Sequence, residues 1–368
     1  MSLKNHLVRF CLFAKNFISN FVMYIHCTHT FQPFLKKNNI GRDLSSCDVL
    51  SNTLANHFDE HQLYRIDHYL GKEVVQNILI WRFSNIFEHT WNCQYIHSVV
   101  ISFQETFGTD GRGGYFDSFG IIRDVMQNHL LQILMLLAME EPTSTSGESI
   151  RDAKLKVLEA MVPMTLENCL LGQYEGYSDD STIENKNTNC PTYAALRTFI
   201  YTPRWSGVPF VLEAGKAMTE RKCEIRIQFR AQTNRSPPNE LVMRLQPNPA
   251  LYFQANIKSP GFASNISPVQ FGMDYTRTGT NNCNNPDAYT RLILDVLRGR
   301  QESFVRNDEL RKSWEIFTPL LHTIENDNVR PILYAYGTNG PMERDAFFQK
   351  MGIGSRHQYE ELPKQAKM

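Results

Sequence analysis

The sequence predicts an α+β protein: one large, mostly antiparallel sheet with helices packed on one face. Two observations carry this. Five strand-like runs follow one another between residues 194 and 257 without a helical pattern among them, the spacing of hairpins and meanders rather than of βαβ units. Helical periodicity is instead gathered at either side of that block, and its most apolar example, Ile121 to Met139, has no polar face from Leu130 onward, as expected of a helix buried against a sheet.

Taken in order, the first 40 residues contain no glycine and show neither helical nor alternating periodicity. They are expected to be an atypical, poorly ordered leader. Asp43 or Ser45 can cap a helix running through Val49, Leu50, Leu54 and Phe58. A polar, His-rich block spans His57 to Lys72. Ser98 to Phe103 reads as a strand, closed by a glycine-rich turn from Gly108 to Gly114. After the apolar helix comes an amphipathic one, Ile150 to Met161, and then a polar loop, Gly176 to Pro191. The strand runs are Ala194–Tyr201, Val208–Leu212, Cys223–Phe229, Glu240–Gln246 and Ala250–Ile257. An Asn-rich loop at Asn281 to Asn285 precedes two helices, Ala288–Leu297 and Asp308–Glu325, the second expected to kink or split at Pro319. No internal repeat or heptad pattern is present.

Composition excludes several classes. Of 368 residues, 42% are hydrophobic and 21% charged, which is globular. Lys+Arg and Asp+Glu balance at 38 each, so the basic footprint of a nucleic-acid binder is missing. The eight cysteines include no C-x-x-C pair, which removes zinc-ribbon and thioredoxin-type readings and suits reduced thiols in a cytoplasmic protein. No metal is called for. The most lipid-like stretch, Leu7 to Tyr24, is broken by Arg9, Lys15 and Asn16, so neither a membrane span nor a secretory signal is expected.

One block concentrates chemistry. Arg65-Ile-Asp-His-Tyr-Leu-Gly-Lys72 places an acid, an imidazole, a phenol and an ammonium within six residues. If the block is helical, His68 and Lys72 share a face and with Tyr69 could hold a phosphate dianion. A solvated polar face is the plainer alternative on composition alone.

This block resembles the active-site signature of the glucose-6-phosphate dehydrogenase family. The resemblance continues through Gly111-Arg-Gly-Gly-Tyr-Phe-Asp117, Phe119 to Leu131, Arg204-Trp-Ser-Gly-Val-Pro-Phe210 and Gly215-Lys-Ala-Met-Thr-Glu-Arg-Lys222. It extends over Asn239 to Pro247, Pro286 to Asp295 and Ser313 to Leu321, covering about residues 41 to 352. These form one substrate-binding and dimerisation domain, followed by a C-terminal tail, 353–368.

The resemblance implies NADP-dependent oxidation of glucose 6-phosphate to the 6-phosphogluconolactone. His129 would be the base and Asp67 its orienting acid. Phosphate contacts would be His68, Tyr69 and Lys72; sugar contacts Glu105, Asp124 and Lys216, with Arg221 close by. As isolated letters, His129 reads as a core histidine and Glu105 and Asp124 as surface charges. A second, structural NADP would touch Lys222, Arg226, Arg244 and Gln246. Gln254 and Asn339 stand where the family has a lysine and an arginine, which weakens that site. A homodimer or tetramer in the cytoplasm is implied.

Two departures qualify this. The family opens with a doubly wound nucleotide-binding domain whose glycine-rich loop admits the pyrophosphate; the first glycine here is Gly41, so that domain is expected to be absent and the chain to be a truncated form. The stretch Lys37-Asn38-Asn39-Ile40-Gly41-Arg42-Asp43-Leu44 also puts Asn38 where the family has an active-site lysine. A sugar-phosphate-binding or dimerising subunit without turnover is the alternative.

Overall fold

A computed structural model describes residues 22–25, 41–84, 86–231, 238–260, 262, 266–274 and 286–353. The expectations for the rest of the first 40 residues (with Lys37 and Asn38), for residues 281–285 and for the tail beyond 353 therefore lie outside the described residues.

The order of elements begins with strand β1 (Val22–Ile25), helix α1 (Leu44–Ala55), strand β2 (Leu63–Ile66) and helix α2 (Glu73–Phe83). Strand β3 (Ile96–Gln104) leads to a π-helix, Ile122–Leu130, that runs directly into helix α3 (Leu131–Ala138). Helix α4 (Gly147–Glu159) precedes strands β4 (Cys169–Tyr174), β5 (Tyr193–Thr198), β6 (Phe210–Gly215) and β7 (Lys222–Phe229). Strands β8 (Glu240–Gln246), β9 (Ala250–Lys258) and β10 (Ile266–Asp274) follow. The described chain closes with helices α5 (Ala288–Leu297) and α6 (Asn307–Asn326), strand β11 (Ile332–Tyr334) and helix α7 (Arg344–Gln349).

Nine of these strands form one sheet in the order β10-β9-β8-β7-β3-β6-β5-β4-β11. All neighbours are antiparallel except β3/β6 and β4/β11, which are parallel. The mostly antiparallel sheet is thus present. Strand β10 was not foreseen, because Pro268 and Gly272 make its sequence read as a loop; both are tolerated since β10 is an edge strand. β1 and β2 form a separate parallel pair.

Helices do not lie on one face alone. Trp205 packs edge-on against Phe210 and donates its indole N–H to the carbonyl of Ala138 at the end of α3. Three residues along β6, and so on the opposite face, Glu213 accepts a 2.6 Å bond from Arg344 at the start of α7. The central strands are covered on both sides, which is why β6 is buried throughout.

Asp43 caps α1 through a reciprocal box with Ser46: its carboxylate accepts from Ser46 N at 2.8 Å, and Ser46 Oγ accepts from Asp43 N at 3.1 Å. The helix stops at Ala55, short of Phe58. Pro319 neither splits nor ends α6, which is continuous over 20 residues. One missing N–H is tolerated because a full apolar stripe, Leu310 to Ile324, is buried against the core.

Under the helices lies a buried polar cluster. Lys154 on α4 donates to Glu309 on α6 and to Gln132 on α3, each at 3.0 Å, and Gln132 donates to Glu309 at 2.6 Å. It ties together helices α3, α4 and α6, of which α3 and α6 pack against the π-helix. Among the described residues, no helix is long and apolar enough to cross a membrane.

Candidate active site

The signature block is not one helical face. Ile66 ends β2, His68–Gly71 forms a single 3-10 turn, and Lys72 is extended, with φ −74° and ψ 137°. Asp67 caps the turn, its carboxylate accepting from Tyr69 N at 2.9 Å. The turn sits hard against α5: a methyl at Gly71 would lie 2.5 Å from the Ala288 carbonyl oxygen, so only glycine fits there.

The π-helix brings His129 to this turn from 62 residues away, and His129 Nδ1 lies 2.7 Å from Asp67 Oδ1. Burial alone would raise the Asp67 carboxyl, but the adjacent His129, His68 and the Tyr69 amide override it and hold it at about 2. Asp67 is therefore ionised at neutral pH and can only accept. That fixes the proton of a neutral His129 on Nδ1 and leaves the lone pair on Nε2. The Tyr69 ring stacks on the His129 ring with centroids 4.6 Å apart, and His68 meets it edge-on at the same spacing. The imidazole is thus gripped on two sides and oriented by a third group. π-turns of this kind recur at functional sites, and nothing in the residue pattern from Ile122 to Leu130 announces one.

Lys72 completes the turn's polar edge. Its ammonium lies 4.9 Å from the Tyr69 ring centroid and donates to Gln246 Oε1 at 2.9 Å. Burial lowers its pKa, with Asp67 opposing and Arg221 adding to the shift, so Arg221 is electrostatically within reach of Lys72. Tyr69 hydrogen-bonds the buried thiol of Cys223, which burial pushes up to about 12. Cys223 is a residue that sequence reasoning missed; a lone cysteine at a strand start carries no signal. Tyr289 was missed too: it stacks on the outer face of His68, centroids 5.6 Å apart and planes at 12°.

Glu105, Lys216 and Arg221 meet at one end of the sheet. Gln104, the last residue of β3, pairs with Gly215 on one side and Lys222 on the other, so the residues just beyond those three positions stand together. Lys216 Nζ donates to Glu105 Oε2 at 2.6 Å, a largely buried ion pair. Glu105 in turn acts on Tyr69 electrostatically. Asp124 lies on the π-helix, one turn before His129. The glycine-rich turn does flank Lys216, through Phe107 and Phe116 at 5.9 and 5.2 Å from its ammonium. Asp180 pins that turn by accepting from Gly111 N and Gly113 N at 3.0 and 3.1 Å.

The residues expected around a structural NADP each have partners within the chain. Gln246 accepts from Lys72 at 2.9 Å. Lys222 is paired with Glu220 and Glu224, and Arg226 with Glu224 and Glu240. Arg244 donates to the Asn248 carbonyl at 3.0 Å. Gln254 is buried with its Oε1 lacking a hydrogen-bond partner, and Asn339 accepts from Thr219. Two of these cations, Lys222 and Arg226, are thus shared among Glu220, Glu224 and Glu240, while Arg244 bonds a backbone carbonyl.

For the catalytic coenzyme, the described residues hold no glycine-rich pyrophosphate loop: the cluster at Gly108–Gly114 is the turn beside Lys216.

Comparison with known proteins gives a consistent picture. A family model described as "Glucose-6-phosphate dehydrogenase, C-terminal domain" matches residues 79–360. A second, "Glucose-6-phosphate dehydrogenase, NAD binding domain", matches residues 37–77. The signature block therefore falls within the NAD-binding match, and part of that domain's sequence is present in the chain. The cytoplasmic isoform of glucose-6-phosphate 1-dehydrogenase from Solanum tuberosum is 49% identical over 330 residues, 88% of this chain and 64% of the relative. The Drosophila melanogaster glucose-6-phosphate 1-dehydrogenase is 52% identical over 326 residues, 83% of this chain and 61% of the relative. The chain thus spans less than two thirds of these relatives' length. A solved structure of glucose-6-phosphate dehydrogenase in complex with glucose 6-phosphate superposes with a TM-score of 0.84 at 44% identity, covering 92% of this chain and 70% of that one.

Proposed function

The chain belongs to the glucose-6-phosphate dehydrogenase family, and from that premise we propose that it oxidises D-glucose 6-phosphate to 6-phosphoglucono-1,5-lactone with NADP+, the first step of the oxidative pentose phosphate pathway. The observation that carries this reading is the 2.7 Å bond between Asp67 and His129, which leaves His129 Nε2 as a poised acceptor. That nitrogen removes the proton of the C1 hydroxyl, and Asp67 stabilises the imidazolium as it forms. Bound NADP+ supplies the hydride acceptor. Lys72, His68 and Tyr69 grip the phosphate: an ammonium as point charge, an imidazole and a phenol as donors. Glu105, Asp124 and Lys216, with Arg221 beside them, bind the sugar hydroxyls through charge-assisted hydrogen bonds that fix C1 against Nε2.

A cytoplasmic homodimer is the assembly we infer, consistent with the name of the potato relative and with an exposed outer sheet face carrying Ile257, Val269 and Phe271. A second reading is a sugar-phosphate-binding or dimerising subunit without turnover. One experiment separates the two. Calorimetry reports binding of glucose 6-phosphate to the purified chain, and the absorbance of reduced nicotinamide reports turnover. Binding with turnover supports the enzyme; binding without it favours the subunit.

A further inference from the structure

We infer that Asp67, His68 and His129 also form an inhibitory site for a divalent cation of the zinc class, one that takes the place of the proton shared between Asp67 and His129. The three residues each offer one ligand atom, and these atoms lie within 4.8 Å of one another. Two imidazoles and one carboxylate are the donor set of many three-ligand zinc sites, whose fourth position is left to water. The inhibitory consequence rests on the proposed role of His129; the binding itself does not.

The geometry is close to what an ion needs. Tetrahedral ligands at about 2.0–2.2 Å from zinc stand roughly 3.4 Å apart. Asp67 Oδ1 and His129 Nδ1 begin at 2.7 Å and need only open slightly to admit an ion. His68 must swing its ring inward by about an ångström, a side-chain motion that leaves the 3-10 turn intact. The carboxylate is ready, since Asp67 is ionised across the neutral range. Access is available as well: His68 is half-buried and the His129 side chain keeps 12% of its surface exposed. Lys72, which interacts electrostatically with Asp67, opposes a cation here and weakens its binding relative to a structural zinc site.

The consequence follows from tautomer bookkeeping. In the free cluster the neutral ring carries its proton on Nδ1 and its lone pair on Nε2. A metal bound at Nδ1 uses that nitrogen's lone pair, and the displaced proton moves to Nε2, with no net proton released from a neutral ring. Nε2 then becomes an N–H donor and can no longer take the C1 hydroxyl proton. His68 is withdrawn from the phosphate at the same time, so metal and glucose 6-phosphate exclude one another.

The test titrates the purified chain with Co2+, followed by its visible absorption, and with Zn2+ by calorimetry, in the wild type, His68→Gln and His129→Asn. The wild type should take one equivalent with tetrahedral-type Co2+ absorption, each variant should bind at least ~10-fold more weakly, and glucose 6-phosphate should bleach the Co2+ signal. Should His129→Asn fold poorly, His68→Gln keeps the Asp67–His129 bond and makes the same comparison. Where the chain turns over, Zn2+ should inhibit competitively with glucose 6-phosphate and a chelator should restore the rate. Wild-type binding that both variants retain, binding indifferent to glucose 6-phosphate, or no binding at all would each overturn the site. Metal binding by a chain without turnover would instead support the site while counting against the proposed activity.

Discussion

Replacing Asp67 by asparagine isolates the role of the carboxylate with little change of shape. The structure sets the size of the effect. The buried Asp67 carboxyl is lowered from 3.8 to about 2, and at about 1.4 kcal/mol per pH unit that corresponds to about 2 kcal/mol of preference for the charged form in its native surroundings. His129 is the leading favourable partner, so most of this energy becomes available to the imidazolium that forms when Nε2 takes the substrate proton. Losing it should slow turnover by about 30-fold or more, with KM for glucose 6-phosphate nearly unchanged, because Asp67 touches the base and not the sugar. A second readout needs no substrate. Because the folded carboxyl titrates below the unfolded one, its contribution to stability is complete above pH ~4 and fades as pH falls towards ~2. Urea melts between pH 5 and pH 2 should show that acid loss in the wild type and a correspondingly flatter profile in Asp67→Asn. A variant with kcat within threefold of wild type and the same acid profile would refute the reasoning.

Other perturbations follow from single contacts. Lys72→Met removes a charged group held 2.9 Å from Gln246 and should raise KM by ~10–100-fold at similar kcat, as loss of a charge-assisted bond to phosphate does; an unchanged KM would remove Lys72 from the phosphate site. Lys154→Met strands Glu309, whose side chain is 1% exposed, and should destabilise the fold by about 3–5 kcal/mol in urea titration, whereas adding Glu309→Leu should recover much of the loss. Gly114→Ala would set a methyl 2.2 Å from the Thr182 carbonyl oxygen; displacement of the turn beside Lys216 should lower both the melting temperature and the affinity for glucose 6-phosphate.

How much of this was legible in the sequence depends on whether the signal is local. Strands β7, β8 and β9 and helix α5 are each specified by their own periodicity, and their observed ends lie within a residue of the expected ones. The Asp43 cap is a local signal too. β10 was hidden by Pro268 and Gly272, which only its edge position makes harmless. Helix α7 covering the second face could not be read, since α7 is a single short helix held by the Arg344–Glu213 pair, whose members are 131 residues apart. The site divides in the same way. Asp67 to Lys72 stand out as a dense polar block, but His68–Gly71 is a 3-10 turn, so the condition under which His68 and Lys72 would share a helical face is not met. His129 stands after Arg123, Asp124, Gln127 and Asn128, at the head of the apolar run, and its meeting with Asp67 depends on a π-turn that no spacing rule signals.

The central claim is that His129 is the base for the C1 hydroxyl of glucose 6-phosphate. Its most direct test is the steady-state rate of NADPH formation by the purified chain and by His129→Asn, with glucose 6-phosphate affinity measured in parallel. The account predicts turnover in the wild type and a loss of at least ~100-fold in the variant, with affinity kept within about threefold. A variant that binds and turns over like the wild type, or a wild-type chain that binds glucose 6-phosphate without forming NADPH, would contradict it.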